Sequence, residues 1–422
     1  MTDWTAPVHG GLLVTGCVPT NARDSIVPST SSRSARKPGD AEWDGFVARS
    51  DPGSYLQLSG WARVKAVNGW SAVRLMSGDV GAVSADVGVS ADGELSGEPS
   101  VPDWPLAIGR AEVPVIGAQI LVRRPRPLPW GFAYAPRGPV SNGWSDEHVS
   151  VFVELLRQRL RREAGRIAHV RIDPEIELGG PQDPDGALRR ALRRSGWRPG
   201  SPIQPESTRV IDLRPDEASL WSDLRKKWRQ YVNRARAGRY RVVDADADRL
   251  SEFYEIYRQT AQRAGFLIRT EQAYRDVWNA YRPSGAARLL FAEDADGHAQ
   301  AVLFLVRCGP RVVEPYGGMT RLGADSRANY LLKWEAIRTS REQGATSYDL
   351  WGLASPGIAH FKTGFGGREI RYIGAWDLVL DPVGRASFEI AQRGRVWVAR
   401  RRHGLSGRGR SAVAALDDGA DG

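Results

Sequence analysis

The stretch Gly357–Ile370, GIAHFKTGFGGREI, holds a lysine, a threonine and several glycines, which are also the residues of phosphate-binding nucleotide loops. In those loops the glycines precede the Lys-Ser/Thr pair, so that backbone N–H groups surround the phosphates. Here Lys362 and Thr363 follow Phe361, and the cluster of three glycines comes after them. Because the order is reversed, the sequence predicts a tight glycine-rich turn that presents Lys362 and is not a nucleotide loop.

The chain of 422 residues is long enough for two packed domains with tails. Its apolar content of 41% and charged content of 26% are ordinary for a globular protein. An excess of 59 lysines and arginines over 49 aspartates and glutamates gives a formal net charge of +10. This charge favours a polyanionic partner, such as nucleic acid, an anionic membrane or a phosphate-bearing substrate.

Two cysteines, Cys17 and Cys308, predict no structural disulfide, which fits a reducing compartment. No apolar run approaches the roughly 20 residues that span a bilayer, and the first residues lack a basic signal-peptide start. We therefore expect a cytoplasmic protein, with peripheral contact to the inner face of the cell membrane as a further expectation.

Three segments are too polar or too repetitive to bury a core, and we expect them to be disordered or mobile. They are an N-terminal extension at residues 1–40, a low-complexity insertion at 77–105 and a tail at 404–422. Strand-like segments, WSAVRLM and PVIGAQILVRR, flank the insertion and predict an antiparallel pair.

Apolar residues at helical spacing predict a helix in DEHVSVFVELLRQRLRREAG, with a buried stripe at Val149, Phe152, Leu156 and Leu160. One long basic helix is predicted after Asp216, its N-cap, with Leu220, Leu224, Trp228 and Tyr231 facing inward. Helices followed by an antiparallel meander, a helix and a strand occur twice. The pattern predicts two related α/β domains at residues 41–204 and 205–373.

Six motifs occur in a fixed order along the chain: GSYLQLSGWARVKAVNGW, YAPRGPV, LRKKWRQYVNRARAG, TAQRAGFLIR, YLLKWEAI and FKTGFGG. In this order the set resembles the Fem family (FemABX) of aminoacyl-tRNA-dependent transferases, which build the interpeptide bridges of bacterial peptidoglycan. The resemblance covers about residues 43 to 382. It depends most on YAPRGPV and FKTGFGG together.

The resemblance implies an α/β (α+β) fold with two tandem GNAT (acetyltransferase-like) domains, in which residues 374–403 return to complete the first domain. It implies a monomer without the coiled-coil arm of some members, because RARAGRYRVV leads directly into the next helix. The implied reaction adds an amino acid to the stem-peptide amine of lipid II or of a UDP-linked muropeptide. Aminoacyl-tRNA is then the co-substrate, and no cofactor is expected.

The resemblance also implies roles for individual residues. Lys362, with Phe361, corresponds to the family's catalytic pair, and its ammonium group would stabilise the negative charge that develops on the ester oxygen. Lys65, Arg263 and Arg269 are expected to bind phosphates of the precursor, and Tyr134, Arg137 and Tyr316 to line the acceptor cleft. Arg225, Lys226, Lys227 and Arg229 are candidates for contacts to RNA phosphates. Charged residues of this kind are also common on solvated surfaces, and this alternative stays open for each of them.

Other functions remain open. One alternative is an enzyme of the same fold that uses aminoacyl-tRNA to modify a small metabolite or another peptide. Another is a basic RNA-binding protein of this fold that has no catalytic activity. An acetyl-CoA enzyme needs a glycine-rich turn at the start of a helix to bind the pyrophosphate, whereas Arg321 is followed at the third position by Ala324. No Cys/His spacing predicts a metal site, and no G-x-S-x-G segment predicts a serine nucleophile.

Overall fold

The computed structural model describes residues 38–77, 116–125, 127–163, 165–353 and 355–403. The predictions for Cys17, for the extension before residue 38, for the insertion at 78–105 and for the tail at 404–422 lie outside these residues. Within the described ranges, no helix is both long and apolar enough to cross a membrane.

Helices and strands alternate along the described chain. The helices are α1 (Asp40–Arg49), α2 (Ser59–Ala66), α3 (Asp146–Glu163), α4 (Ala187–Arg194), α5 (Glu217–Asp223), α6 (Lys226–Ala237), α7 (Leu250–Ala264), α8 (Glu271–Tyr281), α9 (Arg321–Ser326), α10 (Ala328–Glu342), α11 (Pro356–Thr363) and α12 (Pro382–His403). The strands are β1 (Ser71–Met76), β2 (Ile116–Arg123), β3 (Gly131–Ala135), β4 (Val140–Ser141), β5 (Ile167–Ile172), β6 (Trp197–Pro199), β7 (Ser207–Asp212), β8 (Arg241–Ala245), β9 (Ala287–Glu293), β10 (Ala299–Cys308), β11 (Arg311–Met319), β12 (Ser347–Asp349), β13 (Arg368–Arg371) and β14 (Trp376–Val379).

The strands form two mixed sheets of similar design. The first has the order β1-β2-β3-β5-β14-β6, with β4 paired to β2, and the second has the order β13-β7-β12-β11-β10-β9-β8. The predicted antiparallel pair β1–β2 is confirmed. Each sheet contains one parallel pair, β3–β5 or β11–β12, joined by helical crossovers. This repetition confirms the predicted α/β class with two tandem units.

Each sheet packs its own helices. The predicted apolar stripe of α3 is buried in the core of the first sheet: Val149, Phe152, Leu156 and Leu160 are at most 2% exposed. Helices α5, α6 and α10 share a second core with one face of the second sheet. The helical period of these apolar residues therefore reflects which side of each helix faces a sheet.

A third core joins the two halves of the chain. It combines Trp43 and Trp61, from the N-terminal helices α1 and α2, with Tyr281 and Phe304, which belong to the second half. The buried hydroxyl of Tyr281 donates to the carbonyl oxygen of Tyr55 at 2.6 Å. The N-terminal helices therefore bury apolar surface against the second half as well as the first.

The C-terminal part of the described chain returns to the first sheet. Strand β13 pairs with β7 in the second sheet, and four residues later β14 pairs with β5 and β6 in the first. Arg171 on β5 binds Asp377 on β14 at 2.7 and 2.8 Å, and Arg385 of α12 adds a contact of 2.9 Å to the same carboxylate. The domain boundaries at residues 205 and 374 remain predictions; β6 and β7 lie in different sheets.

The prediction of one long helix after Asp216 is wrong in one respect. Asp216 does cap a helix, since its carboxylate accepts from the backbone N–H of Ser219 at 2.8 Å. That helix, α5, ends before Leu224, whose backbone is extended, and α6 begins at Lys226. The helix is interrupted here because the backbone N–H of Arg225 donates to the carbonyl oxygen of Gly364 at 2.9 Å, outside the helix.

Trp228, in the first turn of α6, packs against the glycine turn that follows α11. Its indole N–H donates to the carbonyl oxygen of Phe361 at 3.0 Å. A Cβ atom on Gly364 would overlap the indole ring, so glycine at this position allows the close approach. The contact couples the start of the basic helix to the segment that carries Lys362.

We expect Gly364→Ala to lower the free energy of unfolding by about 1–3 kcal/mol, because the added methyl group overpacks the Trp228 contact. Chemical denaturation monitored by tryptophan fluorescence measures the effect. Gly357→Ala in α11 is the matched control, since no heavy atom lies within 4 Å of its Cβ position. We expect this control to be neutral or stabilising by up to about 1 kcal/mol. Equal effects of the two substitutions would contradict the assigned packing.

Candidate active site

The second sheet opens at its parallel pair. Strands β11 and β12 pair only from Arg311–Ser347 to Val313–Asp349, and β11 continues to Met319. Beyond Asp349 the chain leaves the sheet through Trp351 and Gly352. Side chains of β11 that follow the last pair, including Tyr316, therefore border a gap between the two strands.

Lys362 lies beside this gap, on the last turn of α11. Ser355 caps the helix and Pro356 opens it, so the prediction that a glycine turn carries Lys362 is wrong: the turn follows the lysine. The ammonium group donates to the carbonyl oxygens of Trp351 at 3.0 Å and Gly352 at 2.8 Å. Two main-chain acceptors therefore hold the cation next to the end of β12.

Burial, and after it the positive charge of Lys333, lower the pKa of Lys362 to about 8, while Glu314 and Asp349 oppose the shift. A lysine with this pKa is mostly protonated at neutral pH, yet it titrates near the physiological range. The arrangement provides a half-buried cation whose charge is sensitive to its neighbours.

Lys333 and Glu314 form a buried ion pair near Lys362 that sequence reasoning missed. The ammonium group of Lys333, on α10, donates to Glu314 on β11, and the hydroxyl of Tyr348 donates to the second carboxylate oxygen at 2.8 Å. Lys333 lies 5.5 Å from the ring centroid of Phe361. The sequence did contain a signal for this pair, the lysine inside the apolar run YLLKWEAI. Such a run predicts burial, and a buried lysine is nearly always paired with an acidic residue.

Phe361, next to Lys362 in the chain, belongs to an aromatic cluster that lies against Lys333. Its ring lies 5.1 Å from the ring of Tyr330 and 5.2 Å from that of Phe365, both nearly perpendicular. The ring is half-buried, and its backbone carbonyl receives the Trp228 indole N–H. Phe361 therefore borders Lys362 without itself offering a reactive group.

A cleft of about 170 Å³ opens next to the Trp351 ring. It is lined by Arg269 and by six aromatic residues, Tyr55, Trp61, Tyr257, Tyr274, Tyr316 and Trp351. Of the residues predicted to bind the precursor, Arg269 and Tyr316 lie in this lining. Large flat rings with a cation among them suit a ligand that has both apolar faces and negative charge.

Lys65 reaches the same place indirectly. It is buried on α2, with its ammonium group 5.1 Å from the centroid of the Trp61 ring, and the Arg269 guanidinium lies 5.5 Å from that ring. The structure therefore brings two of the three predicted phosphate-binding cations to one tryptophan. Arg263, the third, is exposed at the end of α7 and donates to the carbonyl oxygen of Met319, away from the cleft lining.

Tyr134 and Arg137, predicted to line the cleft, are not among its lining residues, and both are buried. The Tyr134 hydroxyl donates to Asp173 at 2.7 Å, and the backbone N–H of Arg137 donates to the same carboxylate at 2.6 Å. Burial raises the pKa of Asp173 to about 6, against the opposing effect of Arg137. The guanidinium of Arg137 pairs with Glu175 at 3.3 Å and lies over the rings of Trp351 and Tyr372. These residues support the cleft from behind.

The four predicted RNA-binding cations divide into two kinds. Arg225, Lys226 and Lys227 are exposed at the start of α6. Arg229 is half-buried and donates to main-chain carbonyls at the end of α5, among them that of Ser222 at 2.6 Å, so the structure gives it a helix-capping contact. The exposed three form a basic surface beside α11.

The segment where an acetyl-CoA enzyme binds pyrophosphate is differently built. Thr320 caps α9 by accepting from the backbone N–H of Gly323 at 2.9 Å, and the N–H of Ala324 bonds to the carbonyl oxygen of Thr320 at 3.1 Å. At the start of this short helix the N–H of Gly323 is therefore occupied by the Thr320 side chain.

A possible metal-ligand group lies elsewhere. Asp294, Asp296 and His298 are close together in the turn between β9 and β10, within the described residues. The Asp294 carboxylate accepts from the backbone N–H groups of Asp296 and His298, which accounts for the cluster as a turn. The absence of a bound metal stays a prediction.

Comparison with known proteins shows what this chain is similar to. A model of the acetyltransferase (GNAT) domain matches residues 219–363. The lipid II:glycine glycyltransferase of Staphylococcus aureus (strain USA300) is 24% identical over 325 residues, 75% of this chain and 65% of that protein. The protein of the same name from strain MRSA252 is 24% identical over 256 residues, 60% of this chain and 53% of that protein. The chain thus matches between about half and two thirds of the length of these relatives.

A solved structure described as the crystal structure of FemX superposes on the chain with a TM-score of 0.67 at 20% identity, covering 84% of this chain and 98% of that one. The chain is similar to Fem-family proteins in sequence and in fold. Its two mixed sheets form the Fem fold, and the resemblance inferred from the motifs is confirmed. In this chain Lys362 and the aromatic cleft meet at Trp351, whose carbonyl binds the lysine and whose ring lines the cleft.

Proposed function

We propose that the protein transfers an amino acid from aminoacyl-tRNA to the stem-peptide amine of a peptidoglycan precursor. The observation that carries this proposal is the position of Lys362, a cation held by two main-chain carbonyls beside an aromatic cleft that contains Arg269. A reaction that develops negative charge next to a bound anionic substrate needs these two features together.

The chemistry balances without an enzyme nucleophile or a cofactor. The acceptor amine attacks the carbonyl carbon of the aminoacyl ester, a C–N bond forms, and the carbonyl oxygen becomes an oxyanion beside the Lys362 ammonium group. Collapse of this intermediate breaks the ester C–O bond and releases the ribose oxygen of the tRNA. The proton lost by the amine ends on that oxygen, so the products are an amide and an uncharged tRNA.

The acceptor is proposed to occupy the cleft, with its phosphates near Arg269 and Lys65. Both cations flank the Trp61 ring, which would pack against an apolar part of the same ligand. The relatives' names, lipid II:glycine glycyltransferase, make glycine and lipid II the first donor and acceptor to test. A UDP-linked muropeptide carries the same kind of phosphates and is the second acceptor. A lipid-linked acceptor would place the protein at an anionic membrane surface, as the net charge of +10 favours.

The donor is proposed to lie along the start of α6. Arg225, Lys226 and Lys227 are exposed there, and Trp228 ties this end of the helix to the turn after Lys362. An RNA backbone that follows these cations would therefore approach the catalytic lysine.

In single-turnover assays with glycyl-tRNA and lipid II, we expect Lys362→Met to slow transfer by about 10²–10³, the usual effect of removing one group that stabilises an oxyanion. Mass spectrometry of the acceptor measures the product. Gly357→Ala, on the same helix, is the control and should retain the wild-type rate. Glycyl-tRNA binding without transfer to lipid II or to the UDP-linked muropeptide would instead support a non-catalytic RNA-binding protein. Undiminished transfer by Lys362→Met would remove the lysine from the mechanism.

The acceptor amine attacks as the free base, and a lysine-type amine has a pKa of about 10.4, so its reactive fraction rises with pH. Lys362 loses its charge as the pH rises through about 8, so we expect the wild-type transfer rate to rise up to about pH 8 and to level off above it. In Lys362→Arg the guanidinium stays charged throughout this range, so the rise should continue above pH 8 even if the rate is lower. Rates are corrected for ester hydrolysis without enzyme. Levelling at the same pH in both proteins would assign it to another group.

Replacing Arg225, Lys226 and Lys227 together by Gln should reduce the salt dependence of tRNA binding. Each lost phosphate contact lowers the slope of log K against log salt by about 0.7–0.9, so the triple variant should lose up to about 2–3. Fluorescence anisotropy over a salt series gives the slopes. Arg157, Arg161 and Arg162, exposed on α3, provide a control triple of equal charge. Equal slopes for the two triple variants would exclude a specific surface on α6.

A further inference from the structure

Trp351 occupies an unusual position in the chain. Its indole ring lines the cleft, and its carbonyl oxygen accepts a hydrogen bond from Lys362 at 3.0 Å. The backbone at this residue has φ = +58°, in the left-handed region that a tryptophan rarely adopts. A non-glycine residue keeps such a conformation only where its surroundings hold it.

Asp349 is the residue that holds this turn. It is fully buried at the end of β12, and one carboxylate oxygen accepts from the backbone N–H of Trp351 at 2.7 Å. The same oxygen accepts from the hydroxyl of Thr208, and the other oxygen pairs with Arg311. The carboxylate is therefore held in place by Thr208 and Arg311, and it fixes the position of the Trp351 N–H relative to β12.

The turn decides where the two carbonyl groups that hold Lys362 point. Rotating the backbone of Trp351 out of the left-handed region would redirect the carbonyls of Trp351 and Gly352, and the ammonium group would lose both acceptors. Arg137 constrains the same residue from its other side, with its guanidinium 5.3 Å from the centroid of the indole ring.

We propose that Asp349 is a positioning residue for Lys362, acting through the left-handed turn at Trp351. Its carboxylate binds Trp351, Thr208 and Arg311, and through Trp351 it orients the carbonyls that orient the cation. The inference rests on the proposed role of Lys362 in aminoacyl transfer, and it adds a residue that the reaction depends on without contacting it.

The first test measures the titration of the Lys362 ammonium group in the absence of substrate. The chain has six lysines, Lys37, Lys65, Lys226, Lys227, Lys333 and Lys362, so ¹³Cε-labelled lysine gives few signals, and Lys362→Met assigns the one of interest. The charged groups that act on Lys362 are Lys333 from α10, Glu314 from β11 and Asp349 from β12. Asp349 raises the pKa of Lys362, so Asp349→Asn should move the titration below that of the wild type.

The matched control is Thr208→Val. It removes another hydrogen bond from the same buried carboxylate, and it leaves the Trp351 N–H contact in place. We expect it to lower the melting temperature while the Lys362 titration and the transfer rate stay at wild-type values. Asp349→Asn should instead reduce kcat by roughly ten- to a hundredfold, the effect of a small misplacement of a catalytic group, with little change in KM for the acceptor.

A second pair of variants tests the turn without altering Asp349, in case Asp349→Asn does not fold. Trp351→Gly and Trp351→Ala both remove the ring and should raise KM for the acceptor equally. Glycine adopts positive φ without strain, whereas alanine does not. We therefore expect the Lys362 titration and kcat of Trp351→Gly to stay nearer to the wild type than those of Trp351→Ala. Adding Asp349→Asn to Trp351→Gly should have a smaller effect than Asp349→Asn alone.

The outcomes separate this inference from the proposed function. Absence of transfer by the wild type would reject the proposed function, and the lysine titrations would still test the positioning. Transfer that Lys362→Met abolishes and Asp349→Asn leaves unchanged, with an unchanged Lys362 titration, would overturn the positioning role alone. Identical behaviour of Trp351→Gly and Trp351→Ala would show that the left-handed turn does not orient the lysine.

Discussion

The geometry of the site depends on Arg311, whose guanidinium joins the two sheets. One of its nitrogens pairs with Glu175, which follows β5 of the first sheet, and the other pairs with Asp349 at the end of β12 in the second. Removing one partner of such a buried pair leaves an uncompensated charge, which typically costs about 3–5 kcal/mol. The relative position of the two sheets, and of the cleft between their helices, is therefore fixed by charge pairing as well as by the shared apolar core.

This network also maintains backbone strain at the site. Arg137 and Trp351 both have positive φ, +54° and +58°, and their side chains stack on each other. Each such conformation costs on the order of 1–3 kcal/mol, so it persists because the backbone N–H of each residue is bound by a buried carboxylate. Asp173 binds Arg137 and Asp349 binds Trp351, one at the end of the parallel strand in each sheet. In both repeated units a buried carboxylate thus binds the backbone N–H of a residue with positive φ. In the second unit the carbonyl oxygen of that residue, Trp351, also accepts from Lys362.

The sequence predicted the features that local patterns determine. Helical spacing located the buried stripe of α3, and Asp216 was recognised as a cap because capping is a short-range interaction. The break at Leu224 had no local signal, since it depends on a hydrogen bond to Gly364 far along the chain. The placement of Lys362 on a turn was an avoidable error: Ser355 and Pro356 are a recognisable helix start.

Prediction of the site was limited by burial, which a motif does not report. Arg269 and Tyr316 were assigned to the cleft and lie there, whereas Arg137, from an equally specific motif, is buried behind it. An arginine in a sequence motif is equally consistent with contact to a substrate and with support of a neighbour, and only the positions of Glu175 and Trp351 distinguish the two. Trp351 itself was not singled out from the sequence, because its importance comes from a backbone conformation and a carbonyl oxygen rather than from its side chain. Residues that act through the main chain are therefore the part of this site that sequence motifs are least able to reveal.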